Sequence, residues 1–159
     1  ECYKQAIRIK PSDAWPHTNL GFAYERLGMY REAIEAHKQA IRIKPDDAWA
    51  HTNLGFAYRR LGIYREAVEA FKQAIRIKPD DAWAHTNLGV AYGRLGMHRE
   101  AVEAHKQAIR IKPDYALAHF NLGIAYLKRG NRGAALDRYK ILKDLDPELA
   151  KRLFDLIYR

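Results

Sequence analysis

The stretch Ala48–Asp81, AWAHTNLGFAYRRLGIYREAVEAFKQAIRIKPDD, decides the fold because most of the chain repeats it. Ala14–Asp47 differs from it at five positions, and Ala82–Tyr115 follows the same pattern. Prolines recur at the same interval, since 45 − 11 and 79 − 45 are both 34. A fixed period of this length is typical of a repeat array, in which each unit packs on its neighbours. The sequence therefore predicts an array instead of a domain with one central core.

A short motif recurs in each unit, Leu-Gly-x-x-Tyr followed by an alanine and a proline. In the quoted stretch these residues are Leu54, Gly55, Tyr58, Ala67 and Pro79. The motif resembles the tetratricopeptide repeat (TPR), a pair of antiparallel helices per unit. His51 stands where that family usually has tryptophan, and the related pentatricopeptide repeat lacks the motif. The resemblance implies an all-α fold, a right-handed superhelical solenoid of antiparallel helix pairs.

The period also predicts where the units begin and end. We expect residues 1–13 to hold the second helix of a truncated preceding repeat, and four repeats at 14–47, 48–81, 82–115 and 116–149. Residues 148–159 are predicted to form a capping helix, with Leu149, Leu153 and Leu156 covering the last repeat. All of these belong to one predicted solenoid domain. Because the first residue is not Met and falls inside a helix, we interpret the chain as a fragment of a longer array.

Composition narrows the class of protein. The net charge is +9, from 28 Lys and Arg against 19 Asp and Glu, which favours acidic partners or nucleic acid. The single cysteine, Cys2, excludes an internal disulfide framework. No apolar run is long enough to span a membrane and the chain does not open with a signal peptide. Localisation is therefore unknown, with the cytoplasm as the default.

Helical projection of the first helix, at about 100° per residue, separates its faces. His51, Leu54 and Tyr58 point towards the second helix, whereas Trp49 and Phe56 point away from it. The resemblance implies that this opposite face lines a concave groove. The predicted partner-binding residues are Trp15, Thr18, Asn19, Phe22, Arg26, Trp49, Thr52, Asn53, Phe56, Arg59, Arg60, Trp83, Thr86, Asn87, Val90, Arg94, Asn121 and Lys128.

Each side-chain type in this set has two interpretations. An asparagine amide has two donors and an acceptor, so a row of them can bond to the backbone of an extended ligand. The row is similar to the asparagine ladder of the O-GlcNAc transferase and kinesin light chain superhelices; alternatively, the amides bond to neighbouring helices or water. The tryptophans form apolar pockets, or lie flat over the junction with the preceding repeat. The cations give the groove a preference for acidic segments, or are solvated at helix ends.

One row differs between repeats, namely Glu25, Arg59, Gly93 and Leu127. If the array distinguishes partners, we expect this row to do so. A TPR subclass holds chaperone tails through a carboxylate clamp, for which Asn53 is in place. Thr18 and Phe22 stand where the clamp needs lysine and asparagine, and Asn87 where it needs arginine. We therefore predict no chaperone-tail clamp.

The second helices carry a repeated set of charges, Glu35, Lys38 and Arg42 in the first repeat. Glu35 and Lys38 form a favourable pair on one helix face. The basic outer face is an alternative site for nucleic acid. A solvated face is the favoured interpretation, since no aromatic residues interleave with the cations as base stacking requires.

Catalytic and metal sites have little support. The chain has no phosphate-binding glycine loop and no nucleophile motif, so no enzyme activity is predicted. The seven histidines lack carboxylate or cysteine neighbours at metal-binding spacing, so neither a metal nor a cofactor is expected. His17 and His37 should face each other within one repeat, as should His85 and His105.

We expect a scaffold or adaptor that binds an extended peptide or partner helix in the groove. The first alternative is nucleic-acid binding through the basic outer face, which we regard as less favoured. The second is a substrate-presenting domain of a larger enzyme. The N-terminal half-repeat, with Tyr3, Ala6 and Ile7, also offers an apolar edge for self-association.

Overall fold

The structure is a computed structural model that describes residues 2–159, and ten helices form within that range. The chain divides into two compact units. Unit 1 ends at Pro79 and unit 2 is Asp80–Arg159. First helices begin at residues 14, 48, 82 and 116, so they follow the predicted 34-residue period.

Unit 1 consists of five helices, α1 (Cys2–Ile9), α2 (Ala14–Arg26), α3 (Tyr30–Ile43), α4 (Ala48–Arg60) and α5 (Tyr64–Ile77). Short turns join α2 to α3 and α4 to α5, so each pair packs as an antiparallel hairpin. The α3 helix packs against α4, and Ala33, Ile34, Leu54, Ala57 and Ala70 form the core there. Small side chains at three of these five positions allow close helix packing.

Unit 2 consists of α6 (Ala82–Arg94), α7 (His98–Ile111), α8 (Ala116–Lys128), α9 (Arg132–Leu145) and α10 (Pro147–Ile157). The hairpins are α6 with α7 and α8 with α9, and α7 packs on α8. The last helix, α10, contacts both α8 and α9. Its Leu153 and Ile157 join Phe120 and Leu142 in a buried cluster.

Aspartates cap the starts of α2, α4 and α6, and a glycine follows the end of each first helix, whereas α8 begins without a side-chain cap. The Asp47 carboxylate accepts hydrogen bonds from the backbone N–H groups of Trp49 and Ala50, at 3.0 and 3.2 Å. Asp81 caps α6 in the same way. The chain then leaves α4 at Gly62, whose φ of +78° lies in the left-handed region that side chains disfavour. These local preferences fix where α2, α4 and α6 start and where each first helix stops.

The glycine of the Leu-Gly-x-x-Tyr motif allows the two helices of a hairpin to touch. A Cβ atom placed on Gly55 would lie 2.7 Å from the Phe71 ring, and one on Gly89 would lie 2.5 Å from the His105 ring. Such distances are shorter than van der Waals contact, so glycine is required there. In the last repeat the equivalent Gly123 faces Leu153 of α10 instead of a residue of α9.

The capping helix is rotated relative to the prediction. Leu153 is fully buried as expected, but Leu156 is exposed and its predicted burial is wrong. Ala150 and Ile157 are buried in its place. Residues 150, 153 and 157 have the spacing i, i+3, i+7 and lie on one face of the helix, which packs against the last repeat. Residue 156 lies outside that face. The predicted all-α fold of antiparallel helix pairs is confirmed.

Candidate functional site

In each unit the first helices carry a row of side chains at equivalent positions of the 34-residue period, most of which are predicted to bind a partner. We call this row the first-helix face. In unit 1 it consists of Trp15, Asn19, Phe22, Arg26, Trp49, Phe56 and Arg60; in unit 2 of Trp83, Asn87, Val90, Arg94, Leu117, Asn121, Ile124 and Lys128. Each tryptophan comes two residues after the capping aspartate, so it lies in the first turn of its helix. These residues are Trp15, Trp49 and Trp83.

The aromatic rings of unit 1 are exposed and touch the preceding helix pair. Trp15 is 62% exposed and Trp49 is 45% exposed. The Trp15 ring lies edge-on to Tyr3, with centroids 6.1 Å apart, and Trp49 lies 6.2 Å from Phe22. The two rings therefore lie at the junction with the preceding repeat, while about half of their surface remains accessible.

The first-helix face of unit 2 is more aliphatic. Trp83, Val90 and Ile124 are half-buried, and Leu117 is exposed. Sequence reasoning missed Leu117, although the period places it at the tryptophan position, since 83 + 34 is 117. The two units thus offer different apolar surfaces at equivalent positions.

The predicted cations remain at the surface. Arg26, Arg60, Arg94 and Lys128 are all exposed. The Arg60 guanidinium lies 5.1 Å from the centroid of the Tyr30 ring, and that of Arg59 lies 5.1 Å from the Phe56 centroid. These distances fit cation–π contacts, which hold the side chains in place. Tyr30 was absent from the predicted site because its position belongs to the second helix.

The predicted threonines do not belong to this surface. Thr18, Thr52 and Thr86 are buried, and each hydroxyl donates to a carbonyl one turn earlier, at 2.8 to 3.2 Å. Each hydroxyl uses its one donor within its own helix, and its oxygen is buried away from a partner. We therefore leave the threonines out of the proposed contact surface.

The asparagines divide into two kinds. Asn53 and Asn87 are buried, whereas Asn19 and Asn121 are half-exposed. The Nδ2 atoms of Asn19 and Asn87 donate to the carbonyls of Trp15 and Trp83, each at 2.9 Å. An amide that donates once retains a second N–H and its oxygen, so Asn19 still has groups for a ligand.

The variable row of Glu25, Arg59, Gly93 and Leu127 makes different contacts in each repeat. Glu25 accepts a hydrogen bond from the buried His37 ring, with 3.0 Å between Oε1 and Nε2. Arg59 stacks on Phe56, and Leu127 packs against the core beside α10. Gly93 has open space where a side chain would begin. The row therefore reaches buried residues, which the sequence did not indicate.

The histidines of the first helices bond to the backbone. The Nε2 atoms of His51 and His119 lie 2.9 and 2.8 Å from the carbonyl oxygens of Pro45 and Pro113. The Nε2 atom of His17 lies 3.4 Å from the carbonyl oxygen of Pro11, so its polar contact is with the preceding turn. His37, which was predicted to face His17, bonds to Glu25. Across residues 2–159 no three potential metal ligands cluster.

Burial affects the protonation of two histidines in unit 2. Burial lowers the pKa of His105 to about 4. The pKa of His119 is also lowered, chiefly by burial and slightly by Arg138, although the Pro113 carbonyl opposes this. His105 is thus neutral at pH 7, and one ring nitrogen carries the donor hydrogen.

The outer face of the second helices is partly neutralised. Lys38, Lys72 and Lys106 each bond to a glutamate three residues earlier, at 3.0 to 3.2 Å. The hydrogen bond that Lys38 donates to Glu35 raises the pKa of Lys38. The predicted Glu35–Lys38 pair is confirmed, and these pairs reduce the positive charge available to nucleic acid.

Packed helix hairpins with apolar and cationic side chains exposed along their first helices define a helical-repeat interaction protein. The chain belongs to the tetratricopeptide repeat family. Models described as TPR repeat match residues 1–28, 26–62, 57–96 and 98–130, and one described as Tetratricopeptide repeat matches 118–153. Members of this family generally serve as non-catalytic protein-interaction scaffolds. A search of curated protein sequences gave no match.

Three solved structures with the same fold cover between 74% and 99% of this chain. A crystal structure of MamA is similar with a TM-score of 0.86 and 30% identity, over 94% of this chain and 87% of MamA. TTC0263, a thermophilic TPR protein of Thermus thermophilus, has a TM-score of 0.79 and 25% identity, over 99% and 88% of the two chains. The first TPR of Spaghetti (RPAP3), bound to the HSP90 peptide SRMEEVD, shares the fold at 22% identity and a TM-score of 0.73, over 74% and 94%.

Over residues 2–159, no helix has the length and apolar character needed to cross a membrane. Self-association through Tyr3, Ala6 and Ile7 stays a prediction.

Proposed function

We propose that this chain is an adaptor that binds an extended, acidic segment of a partner protein along the first-helix face. The observation that carries the proposal is the exposed aromatic row of unit 1, Trp15, Phe22 and Trp49, in register with Arg26 and Arg60. Aromatic and arginine side chains contribute most of the binding energy at protein interfaces. Contiguous exposed apolar surface rimmed by charge is typical of an interaction site.

Charge supports an acidic ligand. The chain has a net charge of +9, and the cations of the first-helix face are exposed in both units. Positive surface steers acidic segments and suppresses basic ones. The peptide held by the RPAP3 repeat has three acidic residues, which is a precedent for such a ligand on this fold. We propose no chaperone-tail clamp here, because Thr18 is buried where the clamp would need a lysine.

The proposal keeps only the two accessible asparagines of the predicted ladder. Asn19 in unit 1 and Asn121 in unit 2 are accessible, and each is proposed to bond to the backbone of a segment bound to its own unit. Asn53 and Asn87 are buried, so their amides would contribute only after side-chain rearrangement. In this proposal the aromatic side chains of unit 1 supply the apolar contacts with the partner. The amides of Asn19 and Asn121, each in its own unit, supply hydrogen bonds to the partner's backbone.

The test measures binding of fluorescein-labelled acidic peptides, and of the same peptides with Gln and Asn in place of Glu and Asp, by fluorescence anisotropy. Trp49→Ala and Arg60→Ala should each weaken binding of acidic peptides by roughly tenfold or more, as expected for interface hot spots. Both residues are exposed, so the fold should persist. The matched control is Lys38→Ala on the outer face, which should leave binding unchanged.

Labelled single-stranded RNA is measured in parallel at low and high salt. RNA binding that is lost in Lys38→Ala and falls steeply with salt, with peptide binding absent, would overturn the proposal in favour of the outer face. Peptide binding that survives Trp49→Ala and Arg60→Ala unchanged would also overturn it.

A further inference from the structure

A cavity of about 280 Å³ lies in unit 2 between α6, α7 and α8. Its polar and charged lining consists of Arg94 from α6, His98 and His105 from α7, and Asn121 and Lys128 from α8, and it opens where Gly93 has no side chain. No carboxylate lines the cavity within residues 80–159. The cavity therefore combines donor groups and cations without an acidic counterpart.

The first repeat shows what fills the same place. Two periods earlier, Glu25 stands at the position of Gly93 and His37 at the position of His105. The Glu25 carboxylate lies 3.0 Å from His37 Nε2, and the two side chains are 6% and 0% exposed. The scaffold thus accommodates a buried carboxylate over this histidine, and in the third repeat the carboxylate is absent.

His105 is left without the partner that His37 has. It is 2% exposed, and its Nδ1 atom, like that of His37, has no hydrogen-bond partner within residues 2–159, so the two repeats differ in the carboxylate that His37 meets at Nε2. The Nδ1 atom of His98, also in the lining, is buried without a partner in the same range. What separates the two repeats is therefore the carboxylate, since Glu25 fills this place in the first repeat and no carboxylate of residues 80–159 lines the cavity in the third.

We propose that this cavity binds the carboxylate of a glutamate side chain from the partner, which takes the place over His105 that Glu25 takes over His37. The inference rests on the proposed function, since Arg94, Asn121 and Lys128 belong both to the cavity and to the first-helix face. A buried carboxylate needs opposite charge and hydrogen-bond donors, and Arg94, Lys128 and the histidine rings supply both. An amide side chain of equal length lacks the charge and is expected to bind more weakly.

The probes are N-acetyl-glutamate methylamide and its glutamine analogue, added at millimolar concentrations to the full chain with ¹⁵N-labelled histidine. His105 ring signals are followed by NMR and assigned with His105→Phe, a change for which Phe71 of the second repeat is the precedent. The glutamate analogue should shift the His105 signals with a Kd roughly tenfold or more below that of the glutamine analogue, as for a hydrogen bond to a charged group.

Two variants at one position separate filling of the cavity from general perturbation. A Cβ on Gly93 meets nothing within 4 Å, so both Gly93→Glu and Gly93→Ala should fold. Gly93→Glu supplies the carboxylate from within the chain and should abolish the response to the glutamate analogue. Gly93→Ala leaves the cavity open and should retain the response.

The inference is overturned if the glutamate analogue leaves His105 unshifted in the unmodified chain, or shifts it equally in Gly93→Glu. Failure of the two proposals can be told apart. Peptide binding that depends on Trp49 without any His105 response would remove only this inference. A His105 response together with peptide binding indifferent to Trp49 would remove only the aromatic part of the proposed function.

Discussion

The first and third repeats follow one template, yet they treat the same buried histidine differently. In the first repeat Glu25 bonds to His37, and both side chains are buried. In the third, Gly93 leaves a cavity beside His105. The helix pairing is the same in both repeats, so the fold does not depend on this position. One position beside the first-helix face thus decides whether the chain itself places a carboxylate on the buried histidine.

The largest expected effect is on the pH dependence of stability. Burial lowers the pKa of His105 from 6.5 to about 4. Because the unfolded chain takes up this proton at higher pH than the folded chain, the free energy of unfolding falls as pH drops from 6.5 towards 4. The loss is about 3 kcal/mol over that range. His119, whose pKa is also lowered, acts in the same direction. Urea denaturation at several pH values measures this slope.

The matched control for the pH effect is His105→Phe, which removes the titrating ring while keeping an aromatic side chain at a position where the second repeat has Phe71. The variant should lose most of the slope between pH 6.5 and 4. An equal slope in both proteins would show that His105 does not cost stability when protonated.

The next effect compares two glycines on one helix. Gly89→Ala places a Cβ 2.5 Å from the His105 ring and should lower the free energy of unfolding by about 2 kcal/mol. Gly93→Ala meets nothing within 4 Å and should raise it by about 1 kcal/mol, because alanine favours the helix. Thermal denaturation distinguishes the two. Destabilisation by both changes would contradict the open cavity at Gly93.

A smaller effect is expected when the internal carboxylate of the first repeat is removed. Glu25→Ala leaves His37 Nε2 without its partner and should cost about 1 kcal/mol. It should also make the His37 ring respond to N-acetyl-glutamate methylamide, which would sharpen the comparison with His105. A variant of unchanged stability, measured by urea denaturation, would show that the pair contributes nothing.

The smallest effect concerns the outer face. Glu35→Ala breaks an exposed ion pair with Lys38 at 3.2 Å and should change the free energy of unfolding by less than about 0.5 kcal/mol. The same urea experiment measures it. A loss as large as that for Glu25→Ala would mean that burial does not separate the two carboxylates.

Most of the fold was predictable from sequence because the same local chemistry recurs four times. Proline, glycine and aspartate mark the helix ends through backbone preferences, and Gly55 marks the contact with Phe71. The rotation of α10 was not predictable, since its leucines fit more than one stripe and only packing against Gly123 selects Leu153 with Ile157.

The candidate site was predictable only in part. Helical projection placed Trp15 and Trp49 outward correctly, but it assigned the neighbouring Thr52 to the same surface. A helical projection gives the direction of a side chain around the helix axis but not how deeply that side chain is buried. A threonine at the edge of an exposed face can therefore be buried. The link between Gly93 and His105 joins two helices, and sequence spacing alone did not reveal it.

The central claim is that a bound acidic segment covers the first-helix face, and intrinsic tryptophan fluorescence tests it most directly. All three tryptophans lie in first helices, and Trp15 and Trp49 are largely accessible. Titration with an acidic peptide that lacks tryptophan and tyrosine should shift the emission to shorter wavelength and reduce quenching by acrylamide. Saturable binding of that peptide with unchanged emission and unchanged quenching would place the ligand elsewhere and contradict the account.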